Sequence, residues 1–176
     1  MTGFKLTNII RHVNSYIFHR FLGKLIGMVK DFSKWHKVKS VIESDKQPSP
    51  FREREIWWCS IGLNIGVEAD GKHDTFERPI LIIRKFNKDM LWGIPLTTRS
   101  KDTKYHLKFT FHERESTAIL SQLKTLSGKR LVRKIGKLGR KKFDQIRKQT
   151  VELAVNRKAD TKTAPFREPR VPSGNM

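Results

Sequence analysis

The sequence predicts a mostly β domain with flanking helices: a small antiparallel barrel or half-open sheet, with one or two helices before it and helical sequence after it. Three observations lead there. Five short apolar or alternating segments lie between residues 55 and 123, separated by turn residues and one long loop. The flanks instead space their apolar side chains by threes and fours. The 176 residues include a single cysteine, Cys59, so the core must hold without an internal disulfide.

The elements follow in order. Ile9, Ile10, Val13, Ile17, Phe21, Leu25 and Val29, with bases between them, predict an amphipathic N-terminal extension over residues 1–30. His19, Arg20 and Lys24 interrupt its only apolar run, which argues against a membrane span or a secretory signal. A helix lying on a membrane surface, or a true chain start at Met28, are alternative readings. Residues 31–43 predict a short helix capped by Asp31 or Ser33, with Phe32, Trp35, Val38 and Val41/Ile42 on a face that packs on a core. Asp45–Pro50 reads as a linker, which closes a 31–50 helix-and-linker unit.

Strands are predicted at Glu55–Ile61, Pro79–Ile83, Met90–Leu96, Tyr105–Phe111 and Ser116–Leu123. Adjacent Trp57 and Trp58 must point to opposite faces, one into the core and the other toward a dimer contact. Gly62–Glu77 has no apolar periodicity and reads as a long loop of the kind that carries function. Beyond it the chain reads as helical. Leu131, Ile135 and Leu138 form one stripe that ends at Gly139, and Phe143, Ile146, Thr150 and Leu153 form a second. The barrel domain is thus expected over 51–155. Residues 156–176, with Pro165, Pro169 and Pro172, are expected to be a disordered tail.

The net charge is +20. Such a balance points to a polyanionic partner: nucleic acid, a membrane surface or an acidic protein. It is uneven. Residues 51–120 hold 12 Lys/Arg against 10 Asp/Glu, whereas 124–148 hold 11 against Asp144 alone. The stretch reads as a solvated basic helix face or a docking surface. No Cys/His cluster has zinc spacing, so no metal and no other cofactor is expected. The lone cysteine fits a reducing, cytoplasmic setting.

Several segments, in order, carry a resemblance. Arg54-Glu55-Ile56-Trp57-Trp58 opens the first strand. Glu68 precedes Arg78-Pro79-Ile80-Leu81-Ile82-Ile83. Ile94-Pro95-Leu96-Thr97-Thr98 is followed by Ala118-Ile119-Leu120-Ser121-Gln122-Leu123-Lys124-Thr125-Leu126 and Lys129-Arg130-Leu131. Together, over about residues 52–153, they resemble the MazF/PemK toxins of type II toxin–antitoxin systems. The resemblance implies an SH3-like barrel of the MazF/PemK/CcdB type and a homodimer. It implies an endoribonuclease that cuts single-stranded RNA, mRNA above all, without metal, and that a cognate antitoxin protein neutralises.

Metal-free cleavage of this kind uses the neighbouring 2′-hydroxyl as nucleophile and leaves a 2′,3′-cyclic phosphate and a 5′-hydroxyl. It needs a base, a charge-stabilising donor and an acid. By resemblance Arg78 holds the scissile phosphate and relays a proton, and Thr97 hydrogen-bonds the same phosphate. Glu68 stands where the family has an acid. Here Ala69 replaces the glutamine that follows and the loop is longer, so a purely structural role for Glu68 stays open. Lys101, Lys104, Tyr105 and His106 combine charge with stackable rings and are candidates for an RNA-binding groove. As titrating groups, His73 and His106 fall on no motif position. The competing readings are a gyrase poison like the CcdB toxins, which share the barrel, or a nucleic-acid-binding module without catalysis.

Overall fold

The computed structural model describes residues 30–99 and 102–155. The extension expected before residue 30, Lys101 and the tail expected after residue 155 lie outside the described residues.

Helix α1 (Phe32–Asp45) begins where the Asp31 carboxylate accepts the Lys34 N–H at 2.9 Å. Of its predicted apolar face only Trp35 is buried, against Phe76 at 5.5 Å between ring centroids. Phe32 and Val41 are exposed. Trp35 is therefore the helix's buried anchor, Val38 and Ile42 are half-buried, and the expectation that its whole apolar face packs on the core is corrected. The segment read as a linker is strapped to the barrel: Lys46 Nζ donates to the Leu131 carbonyl at 3.1 Å, and Phe51 just beyond is fully buried.

Seven strands follow: β1 (Glu55–Ser60), β2 (Glu77–Lys85), β3 (Met90–Thr97), β4 (His106–Phe111), β5 (Arg114–Ile119), β6 (Lys124–Ser127) and β7 (Leu131–Lys137). One turn of 3-10 helix, Leu120–Gln122, joins β5 to β6, and helix α2 (Arg140–Val155) ends the described chain. All pairings between strands are antiparallel, in the order β4-β5-β3-β2-β1-β7, with β6 also on β3. β3 changes partner along its length: Met90–Gly93 pair with β6, whereas Leu96 and Thr97 pair with β5. That switch bends the sheet into the small barrel expected from the sequence.

The run Ile80-Leu81-Ile82-Ile83 is apolar at every place because β2 is covered on both faces. Leu81 and Ile83 join a core with Ile56, Ile94, Leu96, Phe109 and the α2 residues Phe143 and Ile146. Ile80 and Ile82 join a second core with Phe51, Trp57, Leu91 and Leu131. The α2 stripe predicted at Phe143, Ile146 and Thr150 is buried as expected.

Residues 131–137 form strand β7, not the predicted helix. The exposed edge of β1 needs partners for its backbone N–H and C=O groups, and β7 supplies them from Glu55↔Lys137 to Cys59↔Leu131. Two register shifts along this pair break the alternation of apolar residues. That is why Leu131, Ile135 and Leu138 mimic helical spacing. β6, which the sequence did not reveal, pairs along Met90–Gly93 of β3.

Candidate active site

Arg78 stands one place before the proline that enters the covered part of β2. The β2–β3 ladder ends at Ile80↔Pro95, and Arg78 and Thr97 lie two places beyond it, at the neighbouring ends of the two strands. Its guanidinium is half-buried. Nε donates to the Asp70 carbonyl and Nη1 donates to the Leu96 carbonyl at 3.3 Å. Burial lowers the proton affinity of Arg78; Asp70 opposes the shift and Arg99 adds to it. Two of its five N–H groups are thus spoken for among the described residues, and the Nη2 end remains for an anion. The Thr97 hydroxyl accepts the Arg99 backbone N–H at 3.1 Å, so its own proton is available to a further acceptor.

The long loop 62–77 is pinned rather than loose. Gly71 N–H reaches the Gly62 carbonyl at 2.7 Å, and Gly62 N–H reaches that of Phe76 at 3.2 Å. Gly62 is needed at its position: φ is +82°, and a Cβ there would sit 2.1 Å from the Trp35 ring. Asp70 accepts the Asn64 N–H at 2.6 Å and pairs with Lys30 at 2.7 Å. The segment Val67–Ala69 is held from the other side. Gln122 accepts the Ala69 N–H at 3.1 Å and donates to the Val67 carbonyl at 3.3 Å, while Lys124 pairs with Glu68 at 3.3 Å.

These ties draw the loop over a polar cavity of about 470 Å³. Its walls include all three predicted catalytic residues, Glu68, Arg78 and Thr97, and two of the predicted RNA-binding residues, Tyr105 and His106. Lys104 lines a neighbouring cavity of about 770 Å³ that shares Tyr105 and His106, and its ammonium lies 5.0 Å from the Tyr105 ring centroid. His106 Nδ1 is 2.7 Å from the Thr103 hydroxyl, which fixes the ring's orientation. His73 lines neither cavity; it sits in the loop with φ +57° and accepts the Phe76 N–H through its carbonyl. Arg99, Asp70 and Gln122 enter the site without having been singled out from the sequence. Only Gln122 had a signal there, as part of the Ala118–Leu126 segment.

Arg78 and Thr97 also wall a second cavity of about 550 Å³, which opens beside Trp58, Phe111 and Ile135. Trp57 is buried in the second core, with its indole N–H on Glu55 at 2.9 Å. Trp58 is only half-buried and carries the Arg133 guanidinium 4.9 Å above its ring. The Cys59 thiol is fully buried, and burial pushes it up to about 12, so it is inert as a nucleophile. Among the described residues no three His, Cys, Asp or Glu side chains gather closely enough to hold a metal ion. None of the helices there is long and apolar enough to cross a membrane.

Residues 52–153 match the model of the PemK-like, MazF-like toxins of type II toxin–antitoxin systems. Similar solved structures include MazF from Deinococcus radiodurans, 13% identical, covering 60% of this chain and 97% of that one with a TM-score of 0.49. The Mycobacterium tuberculosis toxin MazF-mt6 is 16% identical, covering 57% of this chain and 95% of its own, with a TM-score of 0.44. A mycobacterial endoribonuclease solved in complex with its cognate antitoxin is 13% identical, covering 60% and 94%, with a TM-score of 0.46. Among proteins with curated descriptions, none matches by sequence.

Proposed function

Because the chain belongs to the family of PemK-like, MazF-like toxins of type II toxin–antitoxin systems, we propose that it is an endoribonuclease that cleaves single-stranded RNA by attack of the 2′-hydroxyl, without metal. Its target is mRNA in the cytoplasm, it works as a homodimer, and a cognate antitoxin protein neutralises it. One observation supports the enzymatic part most: Glu68, Arg78 and Thr97 wall one polar cavity together with Tyr105 and His106.

The chemistry assigns each a task. The Glu68 carboxylate takes the proton of the 2′-hydroxyl. The Arg78 guanidinium, aimed by its bonds to Asp70 and Leu96, binds the non-bridging oxygens as negative charge grows on them. Thr97 donates its hydroxyl proton to the same phosphate. By the same family resemblance Arg78 also relays a proton to the leaving 5′-oxygen. Tyr105 stacks on a base, and Lys104 and His106 draw in the backbone.

The test incubates purified protein with single-stranded RNA in EDTA. Discrete fragments ending in 2′,3′-cyclic phosphate, lost in Arg78→Ala, support the reading. Absence of fragments under all conditions, or fragments only with added magnesium, overturns it.

A further inference from the structure

The phosphate grip proposed above has a cavity on either side of it. Arg78 and Thr97 line both. The polar cavity adjoins the second core through Ala69 and Ile119. The other adjoins the first core through Ile56 and Leu96. The neighbouring ends of β2 and β3 are therefore a lip between two cavities of different character. On one side stand Glu68, Arg99 and the Gln122 amide; on the other, Trp58, Phe111, Pro79 and Ile135.

A strand of RNA whose phosphate rests on that lip has one nucleotide on each side of it. Resting on the reading of Arg78 and Thr97 as phosphate ligands, we infer that the cavity of Trp58, Phe111 and Ile135 is a base pocket. It takes the nucleobase on one side of the scissile phosphate and sets which base is tolerated there. The chemistry fits a base. The volume of about 550 Å³ is ample for one ring system. The aromatic rings of Trp58 and Phe111 offer stacking surface in a mainly apolar hollow. Polar groups stand among the lining residues to meet a base edge: Ser116, Glu115 and Arg114 on the strand after the β4–β5 turn. His112 packs edge-on against Phe111 at 4.2 Å, and Arg133 covers Trp58 at 4.9 Å, so both rings are braced. Ile135 on β7 is 36% exposed, an apolar side chain open to the pocket.

Two readouts test this. The first is cleavage of a randomised single-stranded RNA, with base preference scored at each position around the cut. Phe111→Ala, which enlarges the pocket from the hairpin, and Ile135→Trp, which fills it from β7, should each alter preference at one and the same position. Loss of a stacked base should change discrimination there by roughly 5- to 150-fold, with the nucleotide across the phosphate read as before. The second readout does not need cutting. An oligonucleotide carrying 2′-deoxy sugars should quench tryptophan fluorescence in the wild type, less in Trp58→Phe, and less in Ile135→Phe, which narrows the pocket without adding an indole. Unaltered preference in both pocket variants, or quenching that ignores both Trp58→Phe and Ile135→Phe, overturns the base pocket while leaving the nuclease reading in place. If the wild type cuts no RNA, the nuclease reading falls and the quenching result decides the pocket by itself.

Discussion

Arg78 donates from Nη1 to the carbonyl of Leu96 at 3.3 Å, which ties the arginine of one motif to the residue just before Thr97 of another. The bond crosses between neighbouring strands, so the two candidate phosphate ligands are fixed relative to each other by the sheet rather than by a loop. Replacing Arg78 by Ala should lower cleavage by about 2–4 kcal/mol of transition-state stabilisation, by analogy with oxyanion donors, or roughly 30- to 1000-fold. Arg78→Lys should recover little, since an ammonium cannot reproduce the forked donors. Thr97→Ala removes one neutral donor and should cost less. Single-turnover cleavage measures all three; an Arg78→Ala protein as fast as wild type removes the residue from the site.

Gln122 should behave as a positioning residue. Its amide holds Ala69 N–H and the Val67 carbonyl on either side of Glu68. In Gln122→Ala the Ala69 amide should lose hydrogen-exchange protection while the strands keep theirs, and cleavage should fall with it. If Ala69 stays protected, the clasp is not what holds the loop.

Gly62→Ala should undock α1. The new methyl would meet the Trp35 ring at 2.1 Å, in a backbone conformation with φ +82° that disfavours a Cβ. Left-handed strain and overpacking together should cost about 2–5 kcal/mol in urea denaturation. Trp35 is the only buried side chain of α1, so Gly62→Ala in a Trp35→Ala background should cost clearly less. Additive penalties would place the damage elsewhere.

The legibility of this fold divides by how each strand is covered. β1, β2 and β3 are clothed on both faces or on one whole face, and their apolar runs stand out in the sequence. β7 is a bulged edge strand rich in exposed bases, so its sparse apolar residues fell at helical spacing and misled. The site divides the same way. Arg78 and Thr97 lie on strand ends inside recognisable motifs. Arg99 and Asp70 act through a backbone N–H, a carbonyl or long-range charge, and no residue type announces such a role. Gln122 matters through partners 53 and 55 residues away, a pairing visible only once the loop is folded over the cavity.

Acid should weaken the β1–β7 edge through Glu55. Burial alone would raise its carboxyl, but the bonds from Lys134, the Trp57 indole and the Arg52 N–H outweigh burial and hold it below its ordinary 4.5. A depressed folded value means the carboxylate's contribution is fully present above 4.5 and is lost as pH falls through the lower, folded value. Glu55→Gln should therefore be less stable than wild type near neutrality, with the gap closing as the solution is acidified below that window. Urea midpoints across pH measure it; a gap that widens in acid would mean that burial outweighs the three bonds at Glu55.

The basic stretch 124–148 is a strand–turn–helix surface, not a helix face, and part of its charge is committed internally. Lys124 pairs with Glu68, Lys129 with Glu43, and Lys134 with Glu55, while Arg130 donates to the Ser60 carbonyl at 2.9 Å. Lys137 and Lys141 are exposed, and half-buried Lys142 bonds only to neutral Gln145 among the described residues. These three, with exposed Arg140 beside Asp144, form outward charge around the β7–α2 junction. Phosphate contacts release counterions, so RNA affinity should fall steeply with salt in the wild type. Charge reversal at Lys137, Lys141 and Lys142 should weaken binding and flatten that slope. The base preference at the cut should stay as it was, because phosphate contacts position the chain whereas base contacts specify it. Binding titrations at several salt concentrations, paired with mapping of the cut sequence, separate the two effects. A changed cut sequence at unchanged affinity would mean that this surface reads bases, and the path of the RNA away from Arg78 would have to run over α2 instead of toward Lys104 and Tyr105.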